Sequence, residues 1–197
     1  TGDGVLELYV ANRNTNNIMR YNGATGAFVS QFVAGAGGLD QPGKIEFRSD
    51  GLLYVASGGS NEILRYRSNT GAFVDDFISA GLGGLSGPAS FVFAADGNVY
   101  VTSFNNNAIY RYEAATGAFV DDFSPAGLPM EPGNEGLTGP VGILQGPDGL
   151  LYVASSLTDQ IYRFDTAGTP TYDYYKFSVE TDGSRAIFDI DFGDDEN

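Results

Sequence analysis

The sequence contains no cysteine and no histidine. Without cysteine there is no disulfide framework, no thiol chemistry and no thiolate metal site. Without histidine the commonest general base and metal ligand is missing. Serines are plentiful, but no G-x-S-x-G elbow holds one and no imidazole stands by to activate it. Basic residues are scarce: 10 Lys and Arg stand against 25 Asp and Glu, for a formal net charge of −15. A surface that acidic repels phosphate backbones and anionic lipid, so nucleic acid and membrane surfaces are excluded as expected partners. No apolar run reaches the roughly 18 residues of a membrane-crossing helix, so membrane insertion is not expected. The N-x-[ST] acceptor is absent too, which leaves only O-linked sugars as expected glycans. Thr1 stands where an initiating methionine would, so a processed chain, or one excised from a longer protein, is expected.

Glycine, by contrast, is abundant, with 28 residues, most beside Asp, Asn, Thr or Pro. Such pairs mark turns, so the elements between them are short. With 14 Phe and 12 Tyr the chain is rich in strand-preferring aromatics. Apolar residues at 42% and charged residues at 18% are ample for a globular core.

A repeat organises these residues. Leu8-Tyr9-Val10 returns as Leu53-Tyr54-Val55, Val99-Tyr100-Val101 and Leu151-Tyr152-Val153. A second marker, Arg followed by an aromatic, falls at Arg20, Arg65, Arg111 and Arg163. A T-G-A-F turn follows at Thr25, Thr70 and Thr116, then a Gly-rich loop, a proline (Pro42, Pro88, Pro140) and an Asp-Gly turn (Asp50, Asp96, Asp148). Each unit predicts four short antiparallel strands in about 45 residues, the period and strand count of a propeller blade. Both faces of the second strand are bulky: Ile63 and Arg65 lie on one side, Leu64 and Tyr66 on the other. That pattern suits a sheet packed between two others. The fold class expected is therefore all-β, a single β-propeller domain over residues 1–197 with repeats at about 5–50, 51–97, 98–149 and 150–193. An insertion at residues 129–135 accounts for the longer third repeat.

The order of proline, apolar strand, Asp-Gly, Leu-Tyr-Val, Asn-rich loop and Ile-x-Arg-aromatic resembles the NHL family of propellers over residues 6–164. The resemblance implies a stack of four-stranded blades. NHL proteins include scaffolds, RNA binders, signalling modules, lyases and lactone hydrolases, and they commonly have six blades where four repeats are present here. Near the C-terminus, residues 173–179 and 188–192 resemble strands of the bacterial pre-peptidase C-terminal β-sandwich. This second resemblance implies a secreted bacterial protein, placed outside the cell or on its surface.

The two ends complement each other. A strand is expected over residues 185–192, and Arg163 to Arg185 spans the same 22 residues as Arg20 to Pro42. It thus occupies the slot ahead of a Leu-Tyr-Val strand, yet no fifth repeat follows. Conversely, the first Leu-Tyr-Val strand has no such strand ahead of it. Phe188, Ile190 and Phe192 are therefore expected to close onto Leu6 and Leu8. Two geometries achieve this: closure of a ring within one chain, which has the higher effective concentration, or completion of a neighbouring copy in a head-to-tail fibre.

Candidate ligand residues are few. Asp189, Asp191, Asp194 and Asp195 offer hard oxygen ligands of the kind calcium prefers. Asn14, Asn16, Asn17, Asn105, Asn106 and Asn107 fall in the loop between the first two strands of a repeat, where Asn satisfies local backbone and where propellers contact other proteins or glycans. Ser57, Ser60, Ser103 and Ser155 lie nearby. The repeated arginines are read as half-buried pillars pairing with carboxylates, and the pairs Asp75-Asp76 and Asp121-Asp122 as solvated strand edges. No catalytic residue is assigned. The function expected is a non-catalytic structural or interaction propeller whose partners are copies of itself or other proteins. The alternatives are a binder of calcium, glycan or peptide, and a cation-dependent lactonase-like hydrolase.

Overall fold

The structure, a computed structural model, describes residues 6–124, 136–166, 187 and 189–192. It is built of antiparallel sheets with three short 3-10 turns among the described residues. Sheet I orders β1 (Glu7–Asn12), β2 (Asn17–Asn22) and β3 (Phe28–Val33). Sheet II orders β4 (Pro42–Phe47), β5 (Leu52–Ser57), β6 (Glu62–Arg67) and β7 (Phe73–Ile78). Sheet III orders β8 (Pro88–Phe93), β9 (Asn98–Ser103), β10 (Ala108–Glu113) and β11 (Phe119–Ser124). Sheet IV orders β12 (Pro140–Gln145), β13 (Leu151–Ser155) and β14 (Gln160–Phe164). The chain divides into two compact units, Thr1–Leu82 with sheets I and II and Gly83–Asn197 with sheets III and IV.

The sheets are offset from the sequence repeats. The proline strand that ends one repeat pairs with the Leu-Tyr-Val strand of the next, as β4 does with β5 and β8 with β9. This offset is why sheet I has three strands: among the described residues no strand precedes β1 in its sheet. The irregularities repeat as faithfully as the strands. A register shift falls between Pro42 and Ile45, Pro88 and Phe91, and Pro140 and Ile143. Such bulges re-aim a strand locally, and their recurrence follows from the recurring proline.

Within each unit, one sheet covers the other. Strand alternation puts Tyr9 and Ile18 on one face of sheet I and Leu8, Val10, Met19 and Tyr21 on the other. The first face, with Phe32 and Val33, packs into a cluster with Leu53, Val55, Leu64 and Tyr66 of sheet II. In the second unit Tyr100, Ile109 and Phe123 of sheet III pack with Leu151, Val153, Tyr162 and Phe164 of sheet IV. Fully burying side chains of this size contributes about 1.5–3 kcal/mol each.

One expectation is corrected here. Residues 189–192 form no strand. Asp189 and Ile190 instead approach Gly142 of β12, and the Phe192 ring meets Tyr152 edge-on at 5.0 Å. The insertion at 129–135, the expected strand over 172–179 and Phe188 lie outside the described residues.

Candidate functional site

The repeated polar residues are spent on holding the sheets together. In sheet II the Asp50 carboxylate accepts the Leu52 N–H at 3.0 Å and the Tyr54 hydroxyl at 2.9 Å, which locks the Asp-Gly turn to its strand. Asp96 does the same for Asn98 and Tyr100, and Asp148 for Leu150 and Tyr152. Arg65 then lies over the Phe77 and Tyr54 rings and grips Asp75 through two parallel hydrogen bonds, Nε at 2.7 Å and Nη2 at 2.6 Å. Arg111 grips Asp121 in the same bidentate way. Sheet I departs from this pattern. Ser30 stands opposite Arg20, so Arg20 turns to Glu7 at 3.3 Å and its Nε is buried without a hydrogen-bond partner.

The pillar reading of the arginines therefore holds for Arg65 and Arg111, and for Arg20 with Glu7 as its partner. Asp75 and Asp121 are solvated on one side and held by an arginine on the other, while Asp76 and Asp122 are exposed. A signal was available in the sequence, since an Asp recurs ten residues after Arg65 and Arg111.

These contacts set the acid response. The Arg65 hydrogen bonds hold Asp75 below its ordinary carboxylate value against the opposing effect of burial. Burial raises Asp96, but hydrogen bonds from Asn98 and Tyr100 outweigh it and leave that group lowered as well. Asp122, exposed as a whole residue, moves the other way, its carboxyl pushed up by partial desolvation and then by the Asp121 charge. A carboxyl group lowered on folding adds stability that is present above its unfolded pKa of about 3.9 and is lost as pH falls through the folded value. With no histidine, no side chain of ordinary pKa titrates between about pH 5 and 8. Melting temperature is thus expected to be nearly flat over that window and to fall below about pH 4, with Asp75→Asn shallowing the fall. A melting series from pH 8 to pH 3 checks both parts.

The loop residues are structural as well. Ser57 Oγ accepts the Asp40 N–H at 2.9 Å and donates to the Asp40 carbonyl at 3.1 Å. Ser103 pins Ser86 and Ser155 pins Thr138 in the same manner. These serines are buried rather than presented to a sugar. Asn16 and Asn107 hold the left-handed turn at φ 55° and 56°, a conformation Asn tolerates better than most residues. Their side-chain oxygens accept the N–H of Gln41 and Gly139, each directly ahead of the proline strand of the following sheet. Asn105 donates to the Ser86 hydroxyl, and Asn106 to the Gly84 carbonyl. Asn17 is buried at 6% exposure with Oδ1 unpartnered, and Asn14 is exposed.

Asp189 and Asp191 are exposed, and each accepts the N–H of the residue after it. Asp194 and Asp195 lie outside the described residues. Among the described residues no three carboxylates gather into a metal cluster.

What stands open is β1. It pairs with β2 along one edge, and its other edge has no ladder partner among the described residues. Leu6 is 68% exposed and Leu8 53%. The sheet order, the stacked apolar faces and the repeated Asp-Gly turns together define a β-propeller fold.

Comparison with known proteins agrees on that fold. No protein-family model matches the sequence, and no curated protein matches it. Among solved structures, virginiamycin B lyase from Staphylococcus aureus, in a catalytically inactive form with quinupristin, is similar with a TM-score of 0.63 at 21% identity, over 94% of this chain and 56% of that one. A streptogramin B lyase is similar with a TM-score of 0.57 at 19% identity, over 90% of this chain and 68% of that one. The extracellular domain of a hybrid two-component system from B. thetaiotaomicron is similar with a TM-score of 0.59 at 14% identity, over 85% and 22% of the two chains. At such identities the likeness is one of fold. The chain spans just over half the length of the virginiamycin B lyase chains it matches. No helix among the described residues is long and apolar enough to cross a membrane.

Proposed function

We propose that this chain is a structural and interaction β-propeller of the NHL type, with four blades per copy, that acts outside the cell without catalysis and joins other copies head to tail. One observation carries the reading: one edge of β1 has no ladder partner among the described residues, with Leu8 exposed in the strand and Leu6 exposed just ahead of it. An unpaired edge is a template for another strand. The sequence holds a segment of matching register, because Arg185 follows Arg163 as Pro42 follows Arg20. On this reading residues 185–192 of one copy exchange the contact of Phe192 with Tyr152 for pairing with β1 of the next, with Phe188, Ile190 and Phe192 as their apolar side, and so complete its sheet I. The contact is heterologous, so it closes into a ring of copies or runs on as a filament. Further support comes from the repeated Arg, Asp, Tyr and Ser side chains, which are engaged in bracing sheets and loops. The similarity to extracellular domains of two-component systems supports a place outside the cell.

A synthetic peptide of residues 184–193, added in excess, competes for the β1 edge. Light scattering is expected to show assemblies falling to the 20.8 kDa of one chain. Assemblies that keep their mass at saturating peptide would overturn the strand-donation reading.

A further inference from the structure

Sheet IV lacks two side chains that its sister sheets carry. Counting on from the proline of each proline strand, the second residue is Lys44 in sheet II, Ser90 in sheet III and Gly142 in sheet IV. The sixth is Arg48, Ala94 and Gly146 in the same order. Neither Gly142 nor Gly146 holds a left-handed φ, so the backbone does not call for glycine at either place. Their surroundings call for it instead. A methyl group on Gly142 would lie 3.0 Å from the Asp189 Cα and 3.3 Å from the Ile190 nitrogen. One on Gly146 would press on the Tyr152 and Phe192 rings at 2.7 and 3.0 Å. Both glycines are buried. Sheet IV is therefore cut away where residues 189–192 cross it.

The ring contact is a second, independent mark of a built site. Tyr152 has an equivalent in each of the other sheets. Tyr9 meets Phe32 edge-on at 4.9 Å, Tyr54 meets Phe77 at 5.1 Å and Tyr100 meets Phe123 at 4.8 Å, each phenylalanine coming from the last strand of the same sheet. Phe192 makes this contact with Tyr152 at 5.0 Å, with the rings at 88°, an arrangement aromatic pairs prefer. The C-terminal segment thus gives sheet IV the aromatic partner that β3, β7 and β11 give to theirs.

We infer that Gly142, Gly146 and Tyr152 form a seat for residues 189–192, and that a seated segment is withheld from β1 of a second copy. The inference rests on the head-to-tail reading and adds a regulation to it. Phe192 cannot pack on Tyr152 and complete sheet I of another chain at once, so only the unseated fraction is open to donation. Seating within one chain has the higher effective concentration, which keeps dilute chains apart.

Because the chain has no cysteine, the pair Gly142→Cys and Asp189→Cys reports on the seat alone. A Cβ at position 142 lies 3.0 Å from the Asp189 Cα, which brings the two thiols within reach of a disulfide, whose Cβ atoms lie about 3.5–4.5 Å apart. Oxidised at low concentration, the pair is expected to close within one chain and to hold it at 20.8 kDa; reduced, the same chain is expected to assemble. Gly142→Val crowds the segment and leaves β1 untouched, and is expected to assemble at a concentration at least about tenfold below that of the unaltered chain. Sister strands carry Lys44 and Ser90 at this position, so a thermal melt is expected to show the variant folded. Thiols that stay free, or that link only between chains, overturn the seat. An oxidised chain that assembles as its reduced form does, or a folded Gly142→Val that assembles no more readily than the unaltered chain, overturns the competition. If the crosslink closes within one chain and neither the unaltered chain nor Gly142→Val ever exceeds one copy, the seat stands and the head-to-tail reading fails, taking the competition with it.

Discussion

Gly71→Ala is expected to lower the melting temperature by roughly 6–12 °C, whereas Gly26→Ala, the same change in the same T-G-A-F motif, lowers it by about a third as much. Both glycines hold φ 70°, so both substitutions incur the left-handed penalty of about 1–2 kcal/mol. Their surroundings differ. A methyl group on Gly71 would overlap the Phe32 carbonyl oxygen of sheet I, and that backbone atom cannot swing aside as a flexible side chain can. Nothing lies within 4 Å of the equivalent position at Gly26. Forcing the sheets apart at Gly71 loosens the cluster of Leu53, Val55, Leu64 and Tyr66 with Ile18 and Phe32. A total near 3 kcal/mol corresponds to the shift given, at about 2–4 °C per kcal/mol for a chain of this size. Paired differential scanning calorimetry measures the contrast. Equal shifts in the two variants would mean that sheet I does not press on the Gly71 turn. The comparison thus reads the covering of one sheet by another through a single motif present in two environments.

The strands were legible because period and turn chemistry agreed at every repeat. Asp-Gly, T-G-A-F and the prolines fixed the boundaries, and alternation fixed the faces. The offset between repeat and sheet was also visible, in the absence of a proline strand ahead of Leu8. The side-chain pairing was less legible. Asp75 and Asp121 lie next to Asp76 and Asp122, and adjacency in sequence drew attention from the partner across the ladder, where Arg65 sits opposite Asp75 and Arg111 opposite Asp121. The Asn-rich loops read equally as binding residues and as turn residues. Only the hydrogen bonds of Asn16 and Asn107 to the following sheet distinguish the two, because a backbone donor 25 or 32 residues away leaves no mark on local composition. The C-terminal segment had strand-like alternation, yet residues 189–192 have no ladder partner among the described residues and form no strand. Alternation describes what a segment can pair with, not whether the partner is there.

Sheet I brings these points together. Its Arg20 lacks the opposing Asp, its Gly26 lacks a covering carbonyl, and its Leu8 and Val10 lack a covering sheet. All three departures lie in one sheet; the last two are what a covering sheet supplies to sheet II, while the first follows from Ser30 standing in sheet I where Asp75 stands in sheet II. The net charge of −15 works against bringing copies together, so association is expected to strengthen as salt screens it.

The most direct measurement is molar mass by light scattering over a concentration series from micromolar to millimolar at about 0.15 M salt, where the screening length is roughly 8 Å. Self-complementary ends require the mass to climb with concentration in whole multiples of 20.8 kDa. A single species of 20.8 kDa across the entire series would contradict them.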